Sequence, residues 1–124
     1  MKFLLDTHVI LWFLNGEKLS PNTTELIING ENYISVVSLW EIAIKMNIGK
    51  FHFDGGFYVF NDLVKNNGFN ILQIKDEYME RLFLLPFIHR DPFDRLIIAT
   101  AIVENLTIIT ADENIQKYGA PWIW

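Results

Sequence analysis

The chain has 124 residues, no cysteine and a net charge of −5. That length suits one domain, and the missing thiols exclude disulfides, zinc–thiolate sites and thiol catalysis. The acidic balance argues against a protein that coats duplex DNA non-specifically. Action on nucleic acid then requires a local basic patch or a metal that offsets acidic groups.

Hydrophobic residues make up 51% of the chain and aromatic residues 15%. That is ample apolar surface to offset chain entropy, so a solid core is expected and disorder is not. Residues 1–15 do not read as a signal peptide, because Asp6 interrupts the apolar run and no small-residue cleavage site follows. The longest apolar stretches, around Val9–Leu14 and Leu96–Val103, are far shorter than a membrane span of ~20 residues. A soluble protein of the reducing cytoplasm is the expectation.

Lys2–Leu5 reads as a short buried strand, with Asp6 placed to cap a helix over Thr7–Leu14. Six consecutive apolar residues, Val9–Leu14, leave that helix apolar all round, so it is either central or covered by a partner. Asn15-Gly16 ends it. Ser20-Pro21 opens a second helix and Asn29-Gly30 closes it. Tyr33–Val37 reads as the second strand. Ser38 then opens a third helix that runs to Asn47. Phe57–Lys65 forms a fourth helix, and Phe69–Ile74 alternates like a third strand. Asp76 caps a fifth helix that stops before Pro86. The loop Phe87–Arg90 leads to Asp91-Pro92, which opens a long helix to Glu104. Leu106–Thr110 is the fourth strand, Asp112 caps a short helix to Lys117, and Pro121–Trp124 suits an edge strand.

Strands and helices alternate throughout, without internal repeats, low-complexity segments or a linker. The pattern predicts a three-layer α/β/α domain around a mainly parallel sheet of four to five strands.

Asp6, Glu41, Asp94 and Asp112 each fall just after a strand or in the first turn of a helix. Taken singly, each has a local role. Asp6 and Asp112 suit N-caps, Ser38-x-x-Glu41 fits a capping box, and Asp91-x-x-Asp94 resembles one. Taken together they point elsewhere, because such positions converge at one end of an α/β sheet. Adjacent carboxylates ~5 Å apart repel by roughly 3 kcal/mol per pair at an effective dielectric near 20. A divalent cation relieves that repulsion, and hard oxygen ligands without Cys or paired His select Mg²⁺ or Mn²⁺. Such a metal lowers the pKa of a bound water and clamps a phosphate oxygen, which suits phosphodiester hydrolysis. The helix N-termini nearby favour a phosphate as well.

These residues resemble the PIN-domain ribonucleases, specifically the VapC-type toxins of toxin–antitoxin pairs. The resemblance covers nearly the whole chain. It is carried by Phe3–His8, by Ser35–Ile42, by His89-Arg90-Asp91-Pro92-Phe93-Asp94-Arg95-Leu96-Ile97-Ile98-Ala99-Thr100-Ala101, and by Leu106–Asp112. It implies a Mg²⁺- or Mn²⁺-dependent endoribonuclease that hydrolyses RNA with metal-activated water. Single-stranded or structured RNA, such as tRNA, would be cut to 3′-hydroxyl and 5′-phosphate ends. By that match, Asp6, Asp94 and Asp112 hold the metal directly or through water. Glu41 is a water-mediated ligand or orients the nucleophile, and Thr110 orients a carboxylate or water. The family further implies a homodimer and an antitoxin whose C-terminal segment covers a groove.

Other residues near the quartet stay open between roles. Asp91 suits an N-cap before Pro92 or an outer-shell ligand. Lys45, four residues after Glu41, suits a Glu–Lys helix pair or a phosphate contact. Arg90 and Arg95 flank the acidic loop and suit either RNA binding or solvated surface charge. His8 and His89 supply a rival, metal-free acid–base cleavage that leaves the carboxylates unexplained, and His52 reads as a loop residue. A different class of reading also stands: a catalytically silent RNA- or protein-binding module that keeps the fold.

Overall fold

The computed structural model describes residues 1–17 and 19–124. Its elements alternate as expected: β1 (Lys2–Leu5), α1 (Thr7–Asn15), α2 (Pro21–Asn29), β2 (Glu31–Ser35), α3 (Val36–Asn47), α4 (Gly56–Asn66), β3 (Asn70–Leu72), α5 (Asp76–Phe83), α6 (Pro92–Glu104), β4 (Thr107–Ile109), α7 (Glu113–Gln116) and β5 (Trp122–Ile123). The five strands form one sheet in the order β3-β2-β1-β4-β5, and every pair is parallel. From β1 the chain builds outward through β2 and β3 on one side. It then returns to build β4 and β5 on the other. The order therefore reverses between β1 and β4, where open α/β sheets place their ligands, beyond the carboxyl ends of the strands.

The strand residues alternate between two cores. Phe3, Leu5, Ile34 and Ile109 face a layer that includes Val9 and Ile10 of α1, Ile27 of α2, Ile42 of α3 and Phe60 of α4. Leu4 and Ile108 face the opposite layer, with Ile97, Ile98 and Ala101 of α6 and Ile115 of α7. A parallel sheet needs both faces covered, and this alternation supplies the apolar side chains for both. Helix α5 packs on α6. The all-apolar run of α1 is covered by its own chain: Val9, Ile10 and Leu11 are buried, and Trp12, Phe13 and Leu14 pack partly buried against the same core. At its end, Gly16 adopts φ 68°. This left-handed turn lets the N–H groups of Gly16 and Glu17 return to the carbonyls of Phe13 and Trp12.

Several expected boundaries move. The second strand begins at Glu31 and ends at Ser35, so α3 starts three residues earlier than expected. Ser35 is the cap, with its hydroxyl accepting from the Val37 N–H. The ladder decides this, because β2 pairs with β3 only as far as Ser35 opposite Leu72. The β-branched Val36-Val37 pair is left without a strand partner and turns into the helix. Ser38 is thus inside α3 and buried, accepting from Thr7 Oγ1 at 2.9 Å. It forms no capping box with Glu41, which lies more than one turn into the helix rather than at its start. Lys75, not Asp76, occupies the cap position of α5, and Asp76 enters the first turn, where an acid suits the helix dipole. Strands three and four are shorter than their apolar patterns, because pairing stops before the flanking apolar residues do.

Candidate metal centre

The site grows from the carboxyl ends of β1 and β4. Leu5 pairs with Ile109, so the next residues, Asp6 and Thr110, emerge side by side. The Asp6 N–H bonds the Ile109 carbonyl at 3.1 Å. The Thr110 hydroxyl donates to Asp6 Oδ2 at 2.9 Å. Asp6 sits at the N-cap position of α1 but its side chain caps nothing, which corrects the local reading of this residue. The carboxylate is turned toward β4 instead. It is 3% exposed. Burial pushes its pKa up to about 6, against the lowering effects of the Thr110 hydrogen bond and of His8, while the charge of Asp112 adds to the rise.

Helix α6 brings the second cluster. Asp91 caps it, with Oδ1 accepting from the N–H groups of Phe93 (2.8 Å) and Asp94 (3.1 Å). This is the capping role expected for Asp91, with Pro92 at the first helical position. Asp94 completes no capping box. Its Oδ2 lies 2.9 Å from His89 Nε2. Burial first, then the charges of Asp6 and Asp91, push the Asp94 carboxyl up to about 7; the His89 hydrogen bond opposes the rise and Glu41 adds to it. Asp112 caps α7 through Oδ1, which accepts from Asn114 N–H at 2.8 Å, and its own N–H bonds Thr110 Oγ1 at 3.0 Å. One ligand atom from each of His89, Asp94 and Asp112 lies within 4.8 Å of the other two. His89 joins this group from the loop before α6. The residue pattern pointed to it only as half of a histidine pair. The available clue was its place five residues ahead of Asp94.

Glu41 approaches from α3 and is 2% exposed. Its Oε2 accepts from Lys45 Nζ at 2.6 Å, whereas Oε1 is buried without a hydrogen-bond partner. Partial burial pulls the Lys45 ammonium down. The Glu41 hydrogen bond and the charges of Glu41, Asp91 and Asp94 outweigh that, leaving its pKa above the ordinary lysine value. Of the two roles considered for Lys45, the Glu–Lys helix pair is present, and the ammonium also feels the charges of Asp91 and Asp94.

The two arginines separate. Arg90 is exposed. Arg95 folds back, donating from Nη1 to the Pro86 carbonyl (3.1 Å) and the Tyr118 hydroxyl (3.0 Å), with its guanidinium 5.2 Å from the Phe87 ring centroid. The Tyr118 oxygen also accepts from the backbone N–H groups of Ile88 (3.2 Å) and His89 (2.8 Å). Tyr118 and Arg95 thus clasp the loop that presents His89 to Asp94. Tyr118→Phe removes the shared acceptor. It is expected to cost about 1–3 kcal/mol of stability, read by denaturant unfolding, with increased solvent exchange at the His89 amide. The two histidines have different neighbours: His89 bonds Asp94, whereas His8 is exposed and packs on the rings of Trp12 and Phe51. His52 is exposed beside Asp54, as a loop residue. Among the described residues no helix is long and apolar enough to cross a membrane.

The architecture has relatives. A family model described as PIN domain matches residues 3–121. No curated protein gives a significant sequence match. Among solved structures, VapBC2 from Rickettsia felis bound to a DNA fragment from their promoter superposes with a TM-score of 0.77 at 20% identity, covering 100% of this chain and 98% of that one. DNA-bound VapBC from Salmonella typhimurium gives 0.73 at 16%, covering 100% and 97%. A toxin–antitoxin complex from Klebsiella pneumoniae gives 0.69 at 20%, covering 98% and 95%. At such identities the structural likeness speaks for the fold. The family match adds the sequence pattern on that fold, from the first strand to the last turn: the chain belongs to the PIN domain family.

Proposed function

We propose that this chain is a metal-dependent endoribonuclease and the toxin of a toxin–antitoxin pair. The observation that carries the reading is the convergence of His89, Asp94 and Asp112 on one point beside the buried carboxylate of Asp6. Burial and mutual repulsion push two of these carboxyls up, to about 6 and about 7. Perturbation of this kind, in groups that serve no core, marks functional sites.

The donor set fits a hard divalent cation. It offers carboxylate oxygens and no thiol, and Glu41 Oε1 stands buried and unpartnered in α3. Asp6, Asp94 and Asp112 would hold Mg²⁺ or Mn²⁺. His89 either joins them or fixes Asp94 through its hydrogen bond. When bound, the cation neutralises the cluster and polarises a phosphate oxygen. The chain's own residues do the rest. Thr110 orients Asp6, and Asp91 keeps the first turn of α6 closed so that Asp94 faces His89. A carboxylate has about four acceptor sites, so the single N–H that Asp112 accepts leaves room for a cation. Lys45 sets a positive charge beside Glu41, Asp91 and Asp94, where an RNA phosphate would otherwise meet only acids. Arg90, exposed on the neighbouring loop, adds a cation at the rim.

A protein partner is supported by the surface. Trp40 is 60% exposed and Met79 50%. With Phe93, whose ring is 5.3 Å from that of Trp40, they line an apolar groove of about 270 Å³ between α3, α5 and α6. Exposed apolar patches of this sort mark interaction sites. A homodimer face and an antitoxin seat are the two occupants proposed for such surfaces here, in keeping with the toxin–antitoxin complexes that share the fold.

The reading is tested by incubating purified protein with single-stranded RNA or tRNA in Mg²⁺ or Mn²⁺, with and without EDTA. Cleavage that stops in EDTA and leaves 3′-hydroxyl and 5′-phosphate ends is expected. Equal cleavage in EDTA, or 2′,3′-cyclic phosphate products, would point to the histidines instead. No cleavage of any RNA would favour the silent binding module.

A further inference from the structure

A second feature lies along α1, outside the carboxylate cluster. A cleft of about 510 Å³ is lined in part by His8, Trp12, Lys50, Phe51, Asp54 and Glu17. Its volume falls in the range of ligand clefts, about 300–1,000 Å³. Three of its rings form a continuous wall. The His8 ring stands 5.7 Å from Trp12 and 5.5 Å from Phe51, the latter edge-on. Beyond Trp12 the row continues to Trp124, at 5.9 Å. Aromatic side chains here line an open cavity together with charged groups of both signs.

The cleft is joined to the carboxylates through Lys45. His8, in the first turn of α1, follows Asp6 by two residues. Phe51 lies 5.1 Å from the ammonium of Lys45, and that ammonium pairs with Glu41. The wall of the cleft therefore borders the lysine that pairs with Glu41.

The lining chemistry discriminates among ligands. Lys50 lines the cleft as a cation, and Asp54 and Glu17 line it as acids. A phosphate gains little from that balance. A neutral planar group with N–H donors at its edge suits it, stacking on the rings and offering its donors to the carboxylates. We propose that this cleft holds one unpaired base of a single-stranded RNA, next to the phosphate that sits at the carboxylates. Base–aromatic stacking tolerates any base, and carboxylate edges favour bases that carry an exocyclic amine. This assignment rests on the nuclease reading for its substrate, but it stands on separate residues.

The test uses a short single-stranded RNA with one 2-aminopurine, mixed with the full chain in Mn²⁺. Fluorescence is followed by stopped flow before products accumulate, and steady-state cleavage is measured separately. Stacking is expected to quench the probe. His8→Ala, at an exposed position, and Phe51→Leu, which keeps apolar bulk, are each expected to weaken RNA binding by about 5- to 150-fold. That loss should appear in KM, with kcat little changed. Quenching without cleavage by the wild-type chain would sustain the cleft and defeat the nuclease reading. Cleavage without quenching would do the reverse. Quenching and KM untouched in both variants would overturn the proposal and leave the cleft as a seat for a protein segment.

Discussion

Replacing Asp94 with asparagine is expected to abolish Mn²⁺-dependent RNA cleavage while making the metal-free protein more stable. The two effects have one origin. Asp94 is 8% exposed, and its carboxyl is driven up to about 7 by burial and by the charges of Asp6 and Asp91. At pH 8 it is held ionised in surroundings that disfavour the charge. Asparagine keeps the shape and can still accept from His89 at the same position, so the clasped loop keeps its partner. What disappears is the charge that would bind a cation. Loss of an outer-shell partner typically costs about 10–100-fold, and loss of a direct ligand should exceed that. Cleavage by Asp94→Asn below about 1% of wild type, with an unfolding midpoint raised at pH 8, is the expected pair of results. Wild-type cleavage by this variant would sink the assignment of Asp94 as a metal ligand. A lowered midpoint would show that the carboxylate is instead a structural partner of His89.

The second large effect is a stability that depends on pH and cation together. A carboxyl whose folded pKa is raised binds more protons in the native state than in the unfolded one between the two values. Stability therefore falls as pH rises through that window. For Asp6 the window runs from about 4 to about 6, and for Asp94 from about 4 to about 7. The metal-free chain should be destabilised across this range by a few kcal/mol, which lowers Tm by roughly 10 °C for a domain of this size. The penalty is fully present above pH 7 and absent below pH 4. Mg²⁺ or Mn²⁺ binds the ionised cluster, so added cation should raise Tm strongly at pH 8 and hardly at pH 5. Thermal melts at these two pH values, with EDTA or with millimolar cation, read the result directly. A Tm in EDTA that holds or rises from pH 5 to pH 8, or an equal cation effect at both, would contradict the arrangement of charges described here.

The two predictions separate local from collective roles of the same acids. Asp91 and Asp112 cap helices through side-chain oxygens that accept backbone N–H groups. Those roles were legible from sequence because a cap reaches only two or three residues along the chain. Asp6 looked equally like a cap and is not one. Its oxygen accepts from Thr110, 104 residues away. The parallel register of β1 with β4 places that hydroxyl beside it, and no local rule contains that register.

Much of the fold was written in short-range pattern. The alternation of apolar runs with caps and stop signals marked every helix and strand to within a few residues, and the alternation of strands with helices predicted a three-layer domain around a mainly parallel sheet. Errors gathered where two local solutions compete. Ser35 and Ser38 both offer a hydroxyl cap, and Val36-Val37 suits a strand as well as a helix. The ladder with β3 chose between them.

By itself the sequence determined the element order, the buried character of the sheet and the four acids placed to meet at one end of it. Periodicity and capping are local chemistry, and a chain of this composition must bury those runs. The tertiary structure alone decided which groups share the site. It set His89 on Asp94, held that loop by Tyr118 and Arg95, turned Asp6 toward Thr110, and joined the aromatic cleft on α1 to the acids through Phe51 and Lys45. These are contacts between residues far apart in the chain or on separate elements. Their geometry follows from packing and strand register, which no window of neighbouring residues encodes.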